Sequence, residues 1–310
     1  MTDPELLSLV REELAAPVPD AVRGLARAVA ARHGKASVAV LFYGSCLRSG
    51  DLDGQMLDFY LIVDDYRHAY ARRWMAVANA LLPPNVFPFQ HRGLTAKYAV
   101  LSLADFRRLA SSESFGVSVW ARFAQPARLV WAASNAIADD VAHAVAGAAP
   151  ALLSAARPIL ADRIAPLQLW GQAFHLTYGA ELRAERAARA GSVVDHEAAR
   201  YQRFTFPALR AAGIAGQADG DHLIVLPPIA ERQRRRARRQ WALRRLQGKL
   251  LSVLRLIKAS ATFGGGIDYL AWKINRHAGT TIQIRPWQRR FPLLGALVLL
   301  PRLIAGGAIK

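Results

Sequence analysis

Residues 41–65, LFYGSCLRSGDLDGQMLDFYLIVDD, decide how this chain is read. Apolar residues run into Tyr43-Gly44-Ser45, a short polar loop follows, and a second apolar run carries Asp58 at its start. Short apolar runs bounded by Gly and polar turn residues predict buried strands at 36–43 and 56–63. Glycine has no side chain, so the backbone N–H groups at Gly44-Ser45 can approach a phosphate closely, and Ser45 adds a hydroxyl donor. Of the 23 acidic residues in the chain, Asp51, Asp53, Asp58, Asp64 and Asp65 all fall in this window, against 41 Lys and Arg overall. Such a cluster in so basic a chain points to a divalent cation, because hard cations take carboxylate oxygens. Asp58 is the expected principal ligand. Strand alternation puts residues 58 and 60 on one face. Position 60 is Tyr, and a neutral phenol is a poor magnesium ligand. The second negative group is therefore expected from Asp51, Asp53 or the ligand's own phosphates. Asp64 has the right parity but lies about 20 Å along an extended strand.

Working outward, residues 4–33 predict one or two helices broken near Pro17 and Pro19, with Asp20 as the second N-cap and Gly34 as the stop. Residues 67–82 have helical periodicity up to Pro83-Pro84, 97–103 read as a third strand, and 126–131 as a further short one. Ser102 or Ser112 is expected to start the helices between them. The fold class is α/β, a mixed-sheet domain over residues 1–135. A mainly helical domain follows over 136–284, with 191–197 loop-like and 222–226 a small strand. Within it RQRRRARRQWALRRLQ, residues 232–247, predicts a strongly basic helix that continues through 250–261 until Gly264-Gly265-Gly266 breaks it. A helix is also expected at 267–277. Residues 285–310 form an apolar tail interrupted by Pro292, Pro301 and Arg302.

The net charge of +18 calls for a polyanionic partner. The single Cys46 excludes an internal disulfide framework and a multi-thiolate zinc site. The basic run carries one aromatic, Trp241, where single-strand binders interleave several, so nucleic acid is the less favoured partner. The tail is shorter, uninterrupted, than the roughly 20 residues a bilayer needs. Together with the basic run it makes a two-signal arrangement for attachment to an anionic membrane surface. A buried core helix is the competing reading of the tail.

YGS, MLDFYLIVDD, Trp74, Asn79, KYAVLSLADF, and Ala121-Arg122-Phe123 with Pro126 occur in an order and spacing that resemble the mitochondrial translocator-assembly-and-maintenance type of phosphatidate cytidylyltransferase and its bacterial relatives. The resemblance covers about residues 38–130. It implies the nucleotidyltransferase fold of the DNA polymerase beta superfamily, and synthesis of CDP-diacylglycerol from CTP and phosphatidate with Mg2+. Carried over by position, Gly44 and Ser45 would cradle the CTP phosphates and Asp58 would bind magnesium; the companion metal ligand is expected from the loop acids, Asp53 or Asp51. Lys97 would meet the triphosphate or the lipid phosphate, and Arg122 would be a second phosphate contact. Cys46 after YGS and Ala99 in the KYAV strand depart from that pattern, where the family has Gly. His91 is the nearest candidate general base. The expected location is cytoplasmic, peripheral on the inner face of the cell membrane. The alternatives are transfer to RNA or another acceptor, and an inactive membrane-binding module.

Overall fold

The structure, a computed structural model, describes residues 3–180, 189–220, 223–262, 275 and 283–290. It is an α/β protein built on a five-stranded mixed sheet. Helices α1 (Pro4–Ala15) and α2 (Asp20–Arg32) precede strand β1 (Ser37–Tyr43), the short helix α3 (Ser45–Ser49) and strand β2 (Met56–Val63). Helices α4 (Tyr66–Ala69) and α5 (Arg73–Leu81), strands β3 (Asn85–His91) and β4 (Leu94–Ser102), helices α6 (Leu103–Leu109) and α7 (Trp120–Phe123), and strand β5 (Ala127–Ala132) complete this part. The strand order is β3-β4-β2-β1-β5, with β2 and β4 parallel and the other neighbours antiparallel.

Alternation gives the sheet two covered faces. Leu41, Tyr60, Ile62, Ala99 and Leu101 point into one cluster with α1, α6 and α7. Phe42, Phe59, Leu61, Tyr98 and Val100 point into the other, with Val22, Leu25 and Val29 of α2. In α1 the buried residues Leu6, Val10 and Leu14 recur every four positions, the spacing of one helical face. Asp3 caps this helix by accepting from the Leu6 N–H at 3.0 Å.

The second half is helical around a small sheet. It comprises α8 (Asn135–Ala146), α9 (Ala148–Ala156), β6 (Arg163–Ile164), α10 (Pro166–Tyr178), α11 (Arg189–His196), α12 (Ala198–Ala211), β7 (Gln217–Asp219), β8 (Leu223–Val225), α13 (Glu231–Thr262) and α14 (Pro286–Arg290). Residues 135–159 are long and apolar enough to cross a bilayer by length and composition, yet more than half of the apolar 18-residue window within them is buried in the protein. The larger buried cluster joins sheet residues such as Leu41 and Tyr60 to Trp170, Tyr201 and Trp241 of the helical part, so packing is continuous across residue 135.

A ladder of ion pairs ties α1 to α12: Asp3 and Glu5 with Arg210, Glu12 with Arg203, and Glu13 with Arg200. The outer rungs are exposed and weak. Glu13 and Arg200 are different, at 10% and 9% exposure. Arg200 also donates to the Ala124 carbonyl at 3.1 Å, and the Ala127 N–H donates to Glu13 at 3.4 Å. The pair therefore fixes the turn between α7 and β5.

Helix α13 is pinned along one side. Arg234 donates to the Leu160 carbonyl at 2.9 Å and to Asp162 at 2.8 Å, and Trp241 donates to the Ala155 carbonyl at 3.0 Å. A Cβ on Gly248 would lie 1.8 Å from the Ala180 carbonyl oxygen, so only glycine permits this closeness. Farther on, Arg255 donates to the Pro83 carbonyl at 2.8 Å and Lys258 to the Pro84 carbonyl at 3.0 Å, with Lys258 also bonded to the Leu82 carbonyl.

Several expectations are corrected. The helix expected over 67–82 is two, because Tyr70 turns inward, 7% exposed, to meet the His33 and Phe87 rings. The third strand starts at Leu94 and pairs with β3, a strand the sequence reading leaves unassigned. Pro88 lies in β3, at the sheet edge, where a missing N–H is tolerated. Residues 191–197, expected as a loop, mostly belong to α11, whose Val193 and Val194 are buried. Asp20 is the first residue of α2 and not its cap; Pro19 holds that position without a side-chain bond. Ser102 caps α6 through the Asp105 N–H at 3.1 Å, and no helix starts at Ser112. The expected triple-glycine break and the apolar stretch 291–310 lie outside the described residues, as does the helix 267–277 except Asn275.

Arg200→Met would leave Glu13 buried without its cation, a loss of about 3–5 kcal/mol. Urea unfolding is expected to show a lower midpoint at unchanged slope. Replacing both partners, Glu13→Leu with Arg200→Met, should cost less than the single change.

Burial, with Arg255 nearby, lowers the Lys258 pKa from the ordinary lysine value to about 7. As a neutral amine it still has two N–H donors for its two carbonyls. Between about pH 7 and the ordinary lysine range the unfolded chain then binds more protons than the native one. Stability contributed by this site rises with pH across that window. Lys258→Met should flatten the increase of the unfolding midpoint between pH 7 and 9.5; an unchanged slope would rule this out.

Candidate functional site

The register of the sheet assembles the site. Tyr43 pairs with Asp58 across β1 and β2, and Asp58 pairs with Lys97 across β2 and β4. All three lie toward one end of the three central strands, on the face that also carries Tyr60. The chain leaves β1 at Gly44, whose φ of 96° and ψ of −162° belong to a region essentially closed to other residues. A Cβ there would lie 2.8 Å from Asp58 Oδ2. The Asp58 carboxylate is thus packed against bare backbone at the bend, and Ser45 follows, exposed, as the first residue of α3.

Lys97 Nζ is 3.1 Å from Asp58 Oδ1, with the lysine side chain 41% exposed and the aspartate 16%. Asp58 Oδ1 is itself buried, and the ammonium is its ion-pair partner. Solvent screening makes the pair modest in energy. The pair sets one carboxylate and one ammonium side by side at the bend.

Two residues along, about 7 Å by strand rise, the Tyr60 phenol is fully buried between the Tyr43 and Phe123 rings. Arg122, on α7, donates to the Tyr60 hydroxyl at 3.1 Å. Arg48, one turn beyond Ser45, donates to Gln125 at 3.5 Å. The sequence reading misses Arg48, although its spacing of three from Ser45 puts both on neighbouring positions of one turn. It also misses the Tyr60–Arg122 contact, which joins residues 62 positions apart and has no local signal.

The acid cluster divides. Asp65 caps α4 by accepting from the Arg67 N–H at 2.7 Å, and Asp64 pairs with His68 at 2.8 Å. Both serve the far end of β2. Asp51 and Asp53 are exposed in the loop after α3, where the Asp53 N–H donates to Asp51 at 3.1 Å. Burial pushes the Cys46 thiol up, and Asp58 and then Asp51 add to the shift. Among the described residues no three His, Cys, Asp or Glu side chains form a group able to hold a metal. His91 sits at the end of β3 with its ring stacked on Phe89, and by register it faces away from Lys97. Cys46 fills the core and donates to the Met56 carbonyl at 3.5 Å. Asn79 is buried and donates to Tyr70 at 3.2 Å and the Val100 carbonyl at 3.0 Å, which makes it structural.

Compared with protein-family models and with curated proteins, the chain has no match.

Gly44→Ala places a methyl against Asp58 in a backbone conformation alanine avoids. The expected cost is about 1–3 kcal/mol in denaturant unfolding, whereas Ser45→Ala, at an exposed position, should change stability by less than about 0.5 kcal/mol. Equal effects of the two would contradict the close approach at the bend.

Proposed function

We propose that this end of the sheet is a nucleotidyltransferase site of the DNA polymerase beta type, and that its reaction is cytidylyl transfer from CTP to phosphatidate. The observation that carries the reading is the Asp58 carboxylate pressed against the Gly44 backbone with Lys97 beside it. The preference for cytidine and for a lipid acceptor rests on the resemblance of residues 38–130.

Magnesium fits this site at one point and is incomplete at another. Asp58 Oδ1 is a buried carboxylate oxygen already approached by one cation, the Lys97 ammonium at 3.1 Å, which a bound metal would replace. Position 60 contributes no charge, so Asp53 or Asp51 and the triphosphate itself would complete the set. When bound, Mg2+ supplies neutralisation of the charge on the phosphate oxygens.

The chain's own residues then have distinct tasks. The Gly44 bend lets the triphosphate approach backbone, and Ser45 offers its hydroxyl. Lys97 exchanges Asp58 for a phosphate oxygen. Arg122, held on Tyr60, gives a second positive charge on the same face. The acceptor's phosphate monoester has a second pKa near about 6 and is already ionised at neutral pH. Its oxygen attacks the α-phosphorus of CTP, the bond to the β-phosphate oxygen breaks, and pyrophosphate leaves with the electron pair. No proton is removed from the nucleophile, which agrees with His91 facing away. A hydroxyl acceptor such as RNA would benefit more from a base. We place the enzyme on the inner face of the cell membrane, where its acceptor resides.

The neutral Tyr60 favours a second reading, a nucleotidyltransferase-like module that binds membranes without turnover. Purified protein incubated with Mg2+, labelled CTP, phosphatidate in mixed micelles and RNA separates the readings. Label is expected in lipid. Asp58→Asn should reduce it by more than about a hundredfold while leaving the unfolding midpoint near that of the parent. Label in RNA would overturn the acceptor, and no incorporation at all would favour the inactive module.

A further inference from the structure

We infer that the outward side of α13 is a docking surface for an anionic lipid bilayer. Leu243, Leu246, Leu250 and Leu254 are 58%, 69%, 57% and 40% exposed. At about 100° per residue they cluster around the direction opposite Trp241, which is 1% exposed and bonded to the Ala155 carbonyl. The leucines extend over about 16 Å of helix. A single exposed leucine is ordinary, but four in one row form a patch. The inner side is occupied by the contacts of Arg234, Trp241, Gly248 and Arg255, so the helix cannot turn the leucines inward.

Charge selects the occupant. Residues 231–262 contain nine Arg, two Lys and one Glu. Arg235 and Arg239 are exposed and, by the same helical angle, precede the leucines on the outward side. A second copy of so basic a helix would be repelled. Nucleic acid would neutralise the arginines but leave the aliphatic row in water, since single-strand binders present aromatic platforms. An anionic bilayer satisfies both halves, phosphate headgroups meeting the arginines and the acyl boundary taking up the leucines.

This deepens the reading above, whose acceptor is a lipid, so binding and turnover are measured separately. The full chain is sedimented with phosphatidylcholine vesicles with and without phosphatidylglycerol. The parent should bind the anionic vesicles preferentially, and less so at high salt. Leu246→Gln with Leu250→Gln should lower partitioning about tenfold or more, with the melting midpoint unchanged. Arg235→Gln with Arg239→Gln should erase most of the anionic preference. With a short-chain, water-soluble phosphatidate the leucine variant should turn over like the parent, whereas failure of the parent on that acceptor counts against the enzyme reading alone. Unchanged partitioning of the leucine variant overturns the inference. So does a fall of its melting midpoint by several degrees, which would mean the row is packed. A halved mass in light scattering would reveal a dimer seam, and tighter binding to RNA than to vesicles, indifferent to the leucines, would reveal a nucleic-acid surface; either also overturns it.

Discussion

The contact between the Asp58 carboxylate and the backbone of Gly44 is the constraint on which the rest of the site depends. With 2.8 Å between Oδ2 and the place a Cβ would occupy, residue 44 must be glycine, and its φ of 96° requires the same. The approach exists only because Tyr43 and Asp58 are cross-strand partners. A slip of one residue between β1 and β2 would send Asp58 to the opposite face and bring Leu57 to the bend. Burial holds the register: Leu57, Phe59 and Leu61 must meet α2 on one side while Tyr60 and Ile62 meet the other core.

The helical half takes part in this geometry. Arg200 reaches from α12 to Glu13 on α1 and to the Ala124 carbonyl, at the turn that follows Arg122. A buried ion pair contributes little net stability over an apolar pair of the same shape. Its directional bonds do fix where α7 ends and β5 begins. Arg122 can contact Tyr60 only if that turn stays in place. The positive arm of the site is thus set by packing some 80 residues away in the chain, roughly the separation of Arg122 from Arg200.

Much of the sheet was legible in residues 36–63, because short apolar runs, a Gly-Ser bend and alternating faces are local signals. Asp58 and Tyr60 on one face followed from period two alone, and the remoteness of Asp64 followed from the rise per residue. The strand β3 was not legible: NVFPFQH contains Pro88 and alternates poorly, and it is a strand because β4 offers it an edge. Helix α11 was hidden by Gly191 and Ser192, whose polarity outweighed the two valines that are buried. At the site, Lys97 was found from the resemblance, but its pairing with Asp58 is a property of parallel β2 and β4, which a single sequence does not display. A phosphate contact was expected of Arg122, whereas its hydrogen bond to Tyr60 was not.

The balance of charge gives the proposed chemistry its direction. One carboxylate at the bend is accompanied by Lys97, with Arg122 and Arg48 on the bordering helices. Such a site attracts a free divalent cation weakly and a polyphosphate strongly. In the proposed reaction Asp58 would hold the magnesium that accompanies the triphosphate, and Lys97 would turn from Asp58 to the phosphates. The same excess of cations favours an acceptor that is itself a phosphate. The phosphatidate proposed as that acceptor would be scarce in solution, because its acyl chains hold it in a membrane. On the proposed reading, the outward row of leucine and arginine on α13 would bring the chain to the surface where that acceptor is concentrated, and the charge selecting the substrates and the charge selecting the location would be of one sign.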